Sequence, residues 1–336
     1  KYFEYPKDIF KDLTTLRDKI KSSKDLKRFE KQIKSIEKEI TLFHAKAANK
    51  IIKKSKLNVD FIGFHGQTIF HNAEEQISRQ IGDGKLLSKL TKKKVVYNFR
   101  QNDLKNGGQG APLTPIFHSI LVKQKKIPLP VVILNIGGIT NYTFIDEKGV
   151  SSGLDLGPGN CLIDQWVRLN SKKKYDENGR IAKSGKIKKI ILNKALKNFK
   201  KKKLIKSSFD VKDFDISFVR GLSLEDGAAT LTEYTSEILY EYLIDPEGGT
   251  WESTIIAGGG RKNKFLIKSI EDKIKSLGTL NSPLKLIDDY GVDGDFVESQ
   301  AFAYLAIRSY LNLPISFPET TGVREPCNGG TIVKNF

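Results

Sequence analysis

Three times in this chain an apolar, strand-like run stops at a cluster of glycines. Val131 to Ile136 ends at Gly137-Gly138, Leu154-Asp155-Leu156 ends at Gly157-Pro158-Gly159, and Thr254-Ile255-Ile256-Ala257 ends at Gly258-Gly259-Gly260. Glycine after a buried strand turns the chain sharply and lets backbone N–H groups approach an anion closely. Helical patterns follow two of the turns, over Cys161 to Asn170 and from Phe265, and a helix N-terminus adds a favourable dipole for negative charge. In α/β sheets, ligands bind at the carboxyl ends of the strands. One Gly-Gly pair is only a turn. Three, each after a strand, point to an α/β protein holding a phosphate-bearing ligand. No Gly-x-x-x-x-Gly-Lys-Ser/Thr occurs, and no Gly-x-Gly-x-x-Gly opens a helix after a first strand. The first absence excludes a Walker-type loop and the second disfavours a Rossmann dinucleotide site.

Around these turns the chain reads as alternating helices and strands. Residues 6–56 are expected to be helical, with Ile9, Phe10, Leu13 and Leu16, then Ile33, Ile36, Ile40, Phe43 and Ala47, at helical spacing. A strand over Val59 to Phe64 leads into His65-Gly66-Gln67-Thr68, and a second over residues 95–99 leads into the loop Arg100 to Pro115, which holds Gly107-Gly108-Gln109-Gly110-Ala111-Pro112. Pro128 and Pro130 punctuate the chain before the Val131 run, and Gly137-Gly138 then turns it into Thr140 to Ile145, a β-hairpin. Helices are expected to dominate residues 180–245, a further helix spans Val297 to Leu311, and Pro314 to Gly330 is irregular. No internal repeat is visible.

Composition narrows the function classes. A chain of 336 residues, 39% hydrophobic, is too apolar for disorder and too long for one small core, so two domains are expected. No uninterrupted apolar run is long enough to span a bilayer, and Lys1 to Pro6 shows no signal-peptide core. Two cysteines, Cys161 and Cys327, exclude a disulfide scaffold and suit a reducing cytoplasm, while the histidines at 44, 65, 71 and 118 have no metal-ligand spacing, so no resident metal is expected. The net charge is 57 − 39 = +18. Its lysines are scattered, without a zinc finger, basic zipper or basic-aromatic RNA signature, so the charge reads as a solvated surface rather than a nucleic-acid or membrane footprint. A nucleic-acid binder would instead show affinity falling steeply with salt.

Among polar residues, Asp155 sits just before Gly157-Pro158-Gly159, where a carboxylate could deprotonate a nucleophile or merely bond the turn amides. Asp164, one turn into the following helix, competes with it as a base or magnesium ligand. His65, Gln67 and Thr68 follow a buried strand with a density of hydrogen-bonding groups that suits a sugar or amide ligand; Asp103, Gln109 and Glu298 are similar cases. Glu298 also opens an apolar helix, where an acid often only offsets the dipole. No Gly-x-Ser-x-Gly elbow supports a serine nucleophile.

Taken as a set and in order, these segments resemble the motifs of the anhydro-N-acetylmuramic acid kinases. They are Phe64-His65-Gly66-Gln67-Thr68, Asn102-Asp103 through Gly107 to Leu113, Asn135-Ile136-Gly137-Gly138-Ile139-Thr140-Asn141, and Asp155 to Asn160 with Asp164. Glu225 to Thr232, Gly258 to Asn263, Glu298 to Leu305 and Pro318 to Gly322 continue the series, so the resemblance runs from about residue 59 to 331.

The resemblance implies a two-lobed α/β fold of the actin, Hsp70 and sugar-kinase type, with mixed central sheets flanked by helices and ATP in an interlobe cleft. The first, sugar-side lobe would be 1–129 completed by 298–336, and the second, nucleotide-binding lobe 130–297. It implies an ATP- and Mg²⁺-dependent kinase that opens 1,6-anhydro-N-acetylmuramic acid with water and yields N-acetylmuramic acid 6-phosphate, in the cytoplasm. Carried over residue by residue, Asp155 is the water-activating base and Glu298 a second catalytic carboxylate. Gly137, Gly138, Asn141, Gly157, Gly258, Gly259, Gly260 and Asn263 would face nucleotide, and His65, Gln67, Thr68, Asp103, Gln109, Asn160 and Asp164 the sugar. Its partners would be ATP and a small sugar, with no nucleic acid and no membrane, and a homodimer is compatible with it. One departure is clear: the family opens with a Gly-Thr-Ser-x-Asp-Gly phosphate hairpin that residues 1–58 do not contain, and methionine is absent even at position 1, so that hairpin is expected to lie outside this chain. The alternatives are another sugar kinase or ATPase of the same superfold, which need not use water as nucleophile, and a nucleotide- or sugar-binding module without catalysis.

Overall fold

The helical spacing of residues 6–56 becomes three helices: α1 (Lys7–Lys19), α2 (Ser23–Arg28) and α3 (Glu30–Ser55). The computed structural model describes residues 1–203, 209, 211–244, 251–276 and 284–336. Of the stretch expected to be helical, 204–208, 210 and 245 lie outside the described residues. The described residues form two compact units, Lys1–Phe117 with Ser299–Phe336, and His118–Glu298. Helices α6 (Pro115–Gln124) and α12 (Val297–Tyr310) carry the chain across the divisions.

In the first unit, Ile9, Leu13 and Leu16 of α1 and Ile33, Ile36 and Ile40 of α3 bury their apolar stripes against Ile69, Phe70 and Ile81. Those three belong to an antiparallel hairpin, β2 (Gln67–Asn72) with β3 (Ile77–Ile81). The segment His65 to Thr68 therefore enters a hairpin that the sequence reading leaves out. Strand β1 (Phe61–Phe64) pairs in parallel with β4 (Lys94–Tyr97), and β10 (Thr331–Val333) adds antiparallel to the other side of β4. Between them α4 (Gly84–Thr91) starts on an Asp83 cap, whose carboxylate accepts from the Leu86 N–H at 2.9 Å. Short α5 (Gln101–Lys105) and α13 (Pro318–Thr321) lie within segments otherwise irregular, as their glycine content suggests. Phe302, Leu305 and Ala306 of α12 pack with Val96, Phe99 and Ile315.

The second unit is built on a mixed five-stranded sheet in the order β7-β6-β5-β8-β9. Its strands are β5 (Val131–Ile136), β6 (Ile139–Ile145), β7 (Ser151–Pro158), β8 (Ser253–Ala257) and β9 (Leu284–Leu286). Its helices are α7 (Cys161–Asn170), α8 (Arg180–Ser184), α9 (Lys189–Lys203), α10 (Leu224–Ile244) and α11 (Lys264–Ser276). Val132, Leu134 and Ile136, on one face of β5 by the strand's two-residue period, pack with Leu239 of α10 and with Leu266 and Ile270 of α11. Trp166 and Val167 of α7 join Leu231 and Ile238 of α10 in a second cluster. The whole is α/β, with mixed sheets flanked by helices. Among the described residues no helix is long and apolar enough to cross a membrane.

Candidate functional site

The strand order of the second unit brings the three glycine turns together. Strand β6 is antiparallel to both β5 and β7, and β5 is parallel to β8. So β5, β7 and β8 run the same way, and their carboxyl ends share one end of the sheet. There the first two turns are joined backbone to backbone. The N–H groups of Gly159 and Cys161 donate to the Gly138 carbonyl at 2.9 and 3.2 Å, and that of Asn160 to the Gly137 carbonyl at 2.8 Å.

The glycines serve different purposes. A Cβ on Gly159 would stand 2.4 Å from the Gly137 carbonyl oxygen, one on Gly260 2.2 Å from Ile136 Cγ2, and one on Gly258 2.6 Å from the Ile136 carbonyl oxygen. These positions are glycine because the turns are packed on each other. Gly138 and Gly259 are not constrained in that way. The nearest atoms to a Cβ on Gly138 are Cys161 Cβ at 3.9 Å and Val211 Cγ2 at 4.0 Å, nothing lies within 4 Å of one on Gly259, and neither has the left-handed backbone that favours glycine. Among the described residues the Gly138 N–H meets no acceptor. With the N-terminus of α7 alongside, these two glycines leave a cradle that suits phosphate oxygens. Gly157 lies inside β7, where a Cβ would crowd Ile238 and Phe199 at 3.1 Å, so packing accounts for it.

Asp155 stands at the edge of this cradle. It pairs with Asn141 in the β6–β7 register, and a bulge between Thr140 and Asn141 leaves Leu156 as the extra residue of β7. Such a bulge re-aims neighbouring side chains. Asp155 is 8% exposed, and its Oδ2 accepts from the Phe209 N–H at 3.1 Å. Tyr242 is close enough that Asp155, after burial and Glu241, helps push its hydroxyl pKa up. Asn141 Oδ1 is buried without a hydrogen-bond partner among the described residues, a polar atom beside the cradle still lacking its bond. The Asn160 side chain makes no capping bond at the start of α7. One turn on, burial pushes the Asp164 carboxyl up to about 7, opposed by Arg168 and reinforced by Asp176. A group poised there exchanges a proton readily at neutral pH.

Other expected site residues are held by the protein itself. Asn263 Oδ1 accepts from the Leu266 N–H at 3.1 Å as the cap of α11. Glu298 is exposed in the first turn of α12, and no described contact joins it to Asp155. In the first unit, the Asp103 carboxylate is buried, accepting from the Gly110 N–H at 2.6 Å and from the Thr321 hydroxyl. A Cβ on Gly108 would meet that carboxylate at 2.2 Å, so Asp103 shapes the glycine loop from inside. The Gln109 N–H donates to the Thr321 carbonyl at 2.7 Å. Gln67 donates through Nε2 to the Tyr5 hydroxyl at 3.2 Å, and Thr68 Oγ1 accepts from Gln80 at 3.2 Å.

His65 is fixed in one tautomer. Its Nδ1 lies 3.0 Å from the Gly66 carbonyl, which only accepts, and its Nε2 accepts from Arg100 Nε at 3.2 Å. Burial, with the charge of Arg100, pushes its pKa down to about 3, so the ring is neutral. Arg100 also donates through Nη1 to the Gly110 carbonyl at 2.7 Å, tying His65 to the glycine loop. The sequence reading does not single out Arg100; its position directly after a strand, facing the glycine loop, is the one signal that pointed there. Among the described residues no group of three or more His, Cys, Asp or Glu could hold a metal ion alone.

Comparison with known proteins agrees with the resemblance seen in the motifs. The family model described as anhydro-N-acetylmuramic acid kinase matches residues 1–335, including the N-terminal helices that the motif comparison leaves out. The anhydro-N-acetylmuramic acid kinase of Pelagibacter ubique is 54% identical over 345 residues, covering 100% of this chain and 90% of that protein. The enzyme of the same name from Zymomonas mobilis is 42% identical, covering 87% of this chain and 79% of its own length. That of Agrobacterium fabrum is 38% identical, with coverage of 89% and 80%. Among solved structures, the activator of 2-hydroxyisocaproyl-CoA dehydratase from Clostridium difficile with bound ADPNP is 14% identical, with a TM-score of 0.36 over 70% of this chain and 88% of that one, too distant a likeness to bear on the chemistry.

Proposed function

The chain belongs to the anhydro-N-acetylmuramic acid kinase family, and from that premise and the geometry above we infer that Asp155 activates water in an ATP-dependent phosphoryl transfer to 1,6-anhydro-N-acetylmuramic acid. The protein is a kinase of that amino sugar, a product of peptidoglycan turnover, and forms N-acetylmuramic acid 6-phosphate. The observation that carries our assignment of the site is the convergence of three glycine turns beside one buried carboxylate, Asp155.

In this reading, Asp155 takes a proton from water as the water oxygen bonds to the anomeric carbon. The bond from that carbon to the bridging 6-oxygen breaks, and its electron pair stays on the 6-oxygen. That oxygen attacks the γ-phosphorus of ATP, and ADP leaves. Gly138, Gly259 and the N-terminus of α7 hold the phosphates, with Gly137, Gly258 and Gly260 fixing the turns that present them. Phosphoryl transfer needs positioning and charge stabilisation more than covalent help, which a backbone cradle supplies. Magnesium, entering on the phosphates of ATP, would supply further neutralisation of their charge. Asn141, Asn160 and Asp164 flank the reacting groups, and His65, Gln67, Thr68 and Gln109 present the sugar-binding surface of the lobe 1–129 with 298–336, shaped by Asp103. Glu298 is a second carboxylate for placing the water, and Gly157 and Asn263 act through the turns they support. The nucleotide-binding lobe, proposed at 130–297, lies inside the compact unit His118–Glu298, which also takes in residues 118–129, and the cytoplasm is the proposed setting.

Mass spectrometry of the product tests the reaction, because the sugar should gain one phosphoryl group plus one water. Asp155→Asn should lower turnover by roughly 10²–10⁴-fold, the usual worth of a general base, with little change in ATP affinity. A variant keeping more than half the turnover would remove Asp155 from the role and favour Asp164.

A further inference from the structure

We propose that Arg261 is a positioning residue that fixes the shape of the nucleotide-facing turn Gly258 to Gly260. The inference rests on the reading that this turn contacts ATP. Arg261 follows the turn directly, within the segment Gly258 to Asn263, where the sequence gives it no role of its own. In the structure its side chain is 5% exposed. Nη1 donates to the Gly258 carbonyl at 3.0 Å and to Asp295 Oδ1 at 2.9 Å. Nε and Nη2 donate to the two oxygens of Asp288, at 2.6 and 3.2 Å, a two-pronged contact that suits a planar guanidinium.

The surroundings are built for this one group. A Cβ on Gly294 would stand 2.3 Å from Arg261 Nε, so that glycine makes room for the guanidinium. The hydrogen bond from Arg261 is the first cause of the lowered pKa of Asp288. Lys262 reaches the other oxygen of Asp295, which keeps that carboxylate oriented. A buried cation is costly unless its donors are met, and here two aspartates and one backbone carbonyl meet them. The carbonyl is the informative partner. Gly258 has φ +78°, its carbonyl points at Arg261, and the next residue, Gly259, faces open space. That carbonyl also accepts from the Arg261 main-chain N–H at the longer distance of 3.3 Å. The side-chain bond adds the second hold that fixes the peptide plane between Gly258 and Gly259, and with it the direction in which the Gly259 N–H points.

Arg261→Lys keeps the charge but loses the planar fork, so it should loosen the turn without emptying the cluster of its cation. In the full-length protein, the KM for ATP should rise about tenfold while the KM for the anhydrosugar stays within about twofold. Asp288→Asn should act in the same direction, and the double variant should be less than additive. An unchanged KM for ATP, or a loss confined to kcat in proportion to the fraction of folded protein, would show that Arg261 only stabilises the fold and would overturn the proposal. Gly259→Ala separates the two ideas. If it weakens ATP binding while Arg261→Lys does not, only the role of Arg261 fails. If Gly259→Ala leaves ATP binding unchanged, the turn does not face nucleotide, and both ideas fall.

Discussion

A single methyl group at Gly138 distinguishes a glycine kept for a ligand from one kept for the fold. In Gly138→Ala the new Cβ would find its nearest neighbours at 3.9 and 4.0 Å, ordinary contact distances, on a backbone open to any residue. The protein alone should therefore tolerate the change. Restricting the unfolded chain should even stabilise it by about 0.4–1 kcal/mol, a rise in melting temperature of about 1–4 °C for a unit of this size. ATP should respond in the opposite sense. An alanine N–H donates as well as a glycine's, but a phosphate group cradled here also lies close over the Gly138 Cα, and a methyl group there would push it off that hydrogen bond. Losing one hydrogen bond to a charged acceptor costs about 1.5–3 kcal/mol, or roughly 10- to 150-fold in affinity. Calorimetric titration with an ATP analogue and a thermal melt, run on the same sample, read both quantities. Gly159→Ala is the control, because its Cβ would lie 2.4 Å from a carbonyl oxygen and should unfold the turn outright. A Gly138→Ala protein that binds ATP like the wild type, or that melts well below it, would refute the reasoning.

Three further outcomes are expected. Burial holds the pKa of His44 and His118 down to about 4 and, with the charge of Arg100, that of His65 to about 3, so these rings stay neutral when folded. Unfolded histidines take up protons below about pH 6.5, so each should remove about 2 kcal/mol of stability between pH 7 and pH 5; a melting temperature flat over that range would contradict the burial of these side chains. Asp164 has the opposite linkage: its raised pKa means that stability is lost as pH climbs from about 4 to 7, so Asp164→Asn should gain on the order of 1–3 kcal/mol at and above neutrality, and equal melting temperatures at pH 8 would show that its burial carries no penalty. Gly157→Ala should cost about 1–3 kcal/mol by overpacking against Ile238 and Phe199, with the KM for ATP unchanged; a selective rise in that KM would place Gly157 against nucleotide after all.

The second unit was the more legible half of the chain. A run apolar except for Asn135, then Gly137-Gly138 and a second strand-like run, spell a hairpin locally, and β5 and β6 form it. What no local pattern shows is that β5, β7 and β8 point the same way, since that depends on strands more than a hundred residues apart pairing at β5 and β8. Elsewhere the local signals were weak. The β2–β3 hairpin turns through residues 73–76 without glycine or proline, and Gln76 takes the positive φ of 54° that a glycine would usually supply. Strand β10 is three residues long, too short to display any period, and forms by adding to an edge of β4.

The same limit applies to the site, for a physical reason. A side chain that binds a ligand and one that holds a loop need the same donors and acceptors, so residue type alone cannot separate them. Asn141 and Asn263 are both asparagines beside a glycine turn; the first keeps a buried Oδ1 unmatched, and the second spends its Oδ1 on the Leu266 N–H. Asp155 and Asp103 are both buried aspartates beside glycine-rich segments, yet Asp103 is tied to the Gly110 N–H and the Thr321 hydroxyl inside its own loop. Arg261 shows the converse. In the sequence it is a member of the segment Gly258 to Asn263 with no role of its own, while three acceptors, two of them carboxylates, close around it in the fold. What marks a ligand-facing group is therefore a hydrogen bond, or a space for a Cβ, that the protein has left unused. Gly138, Gly259 and Asn141 share that property at one end of one sheet.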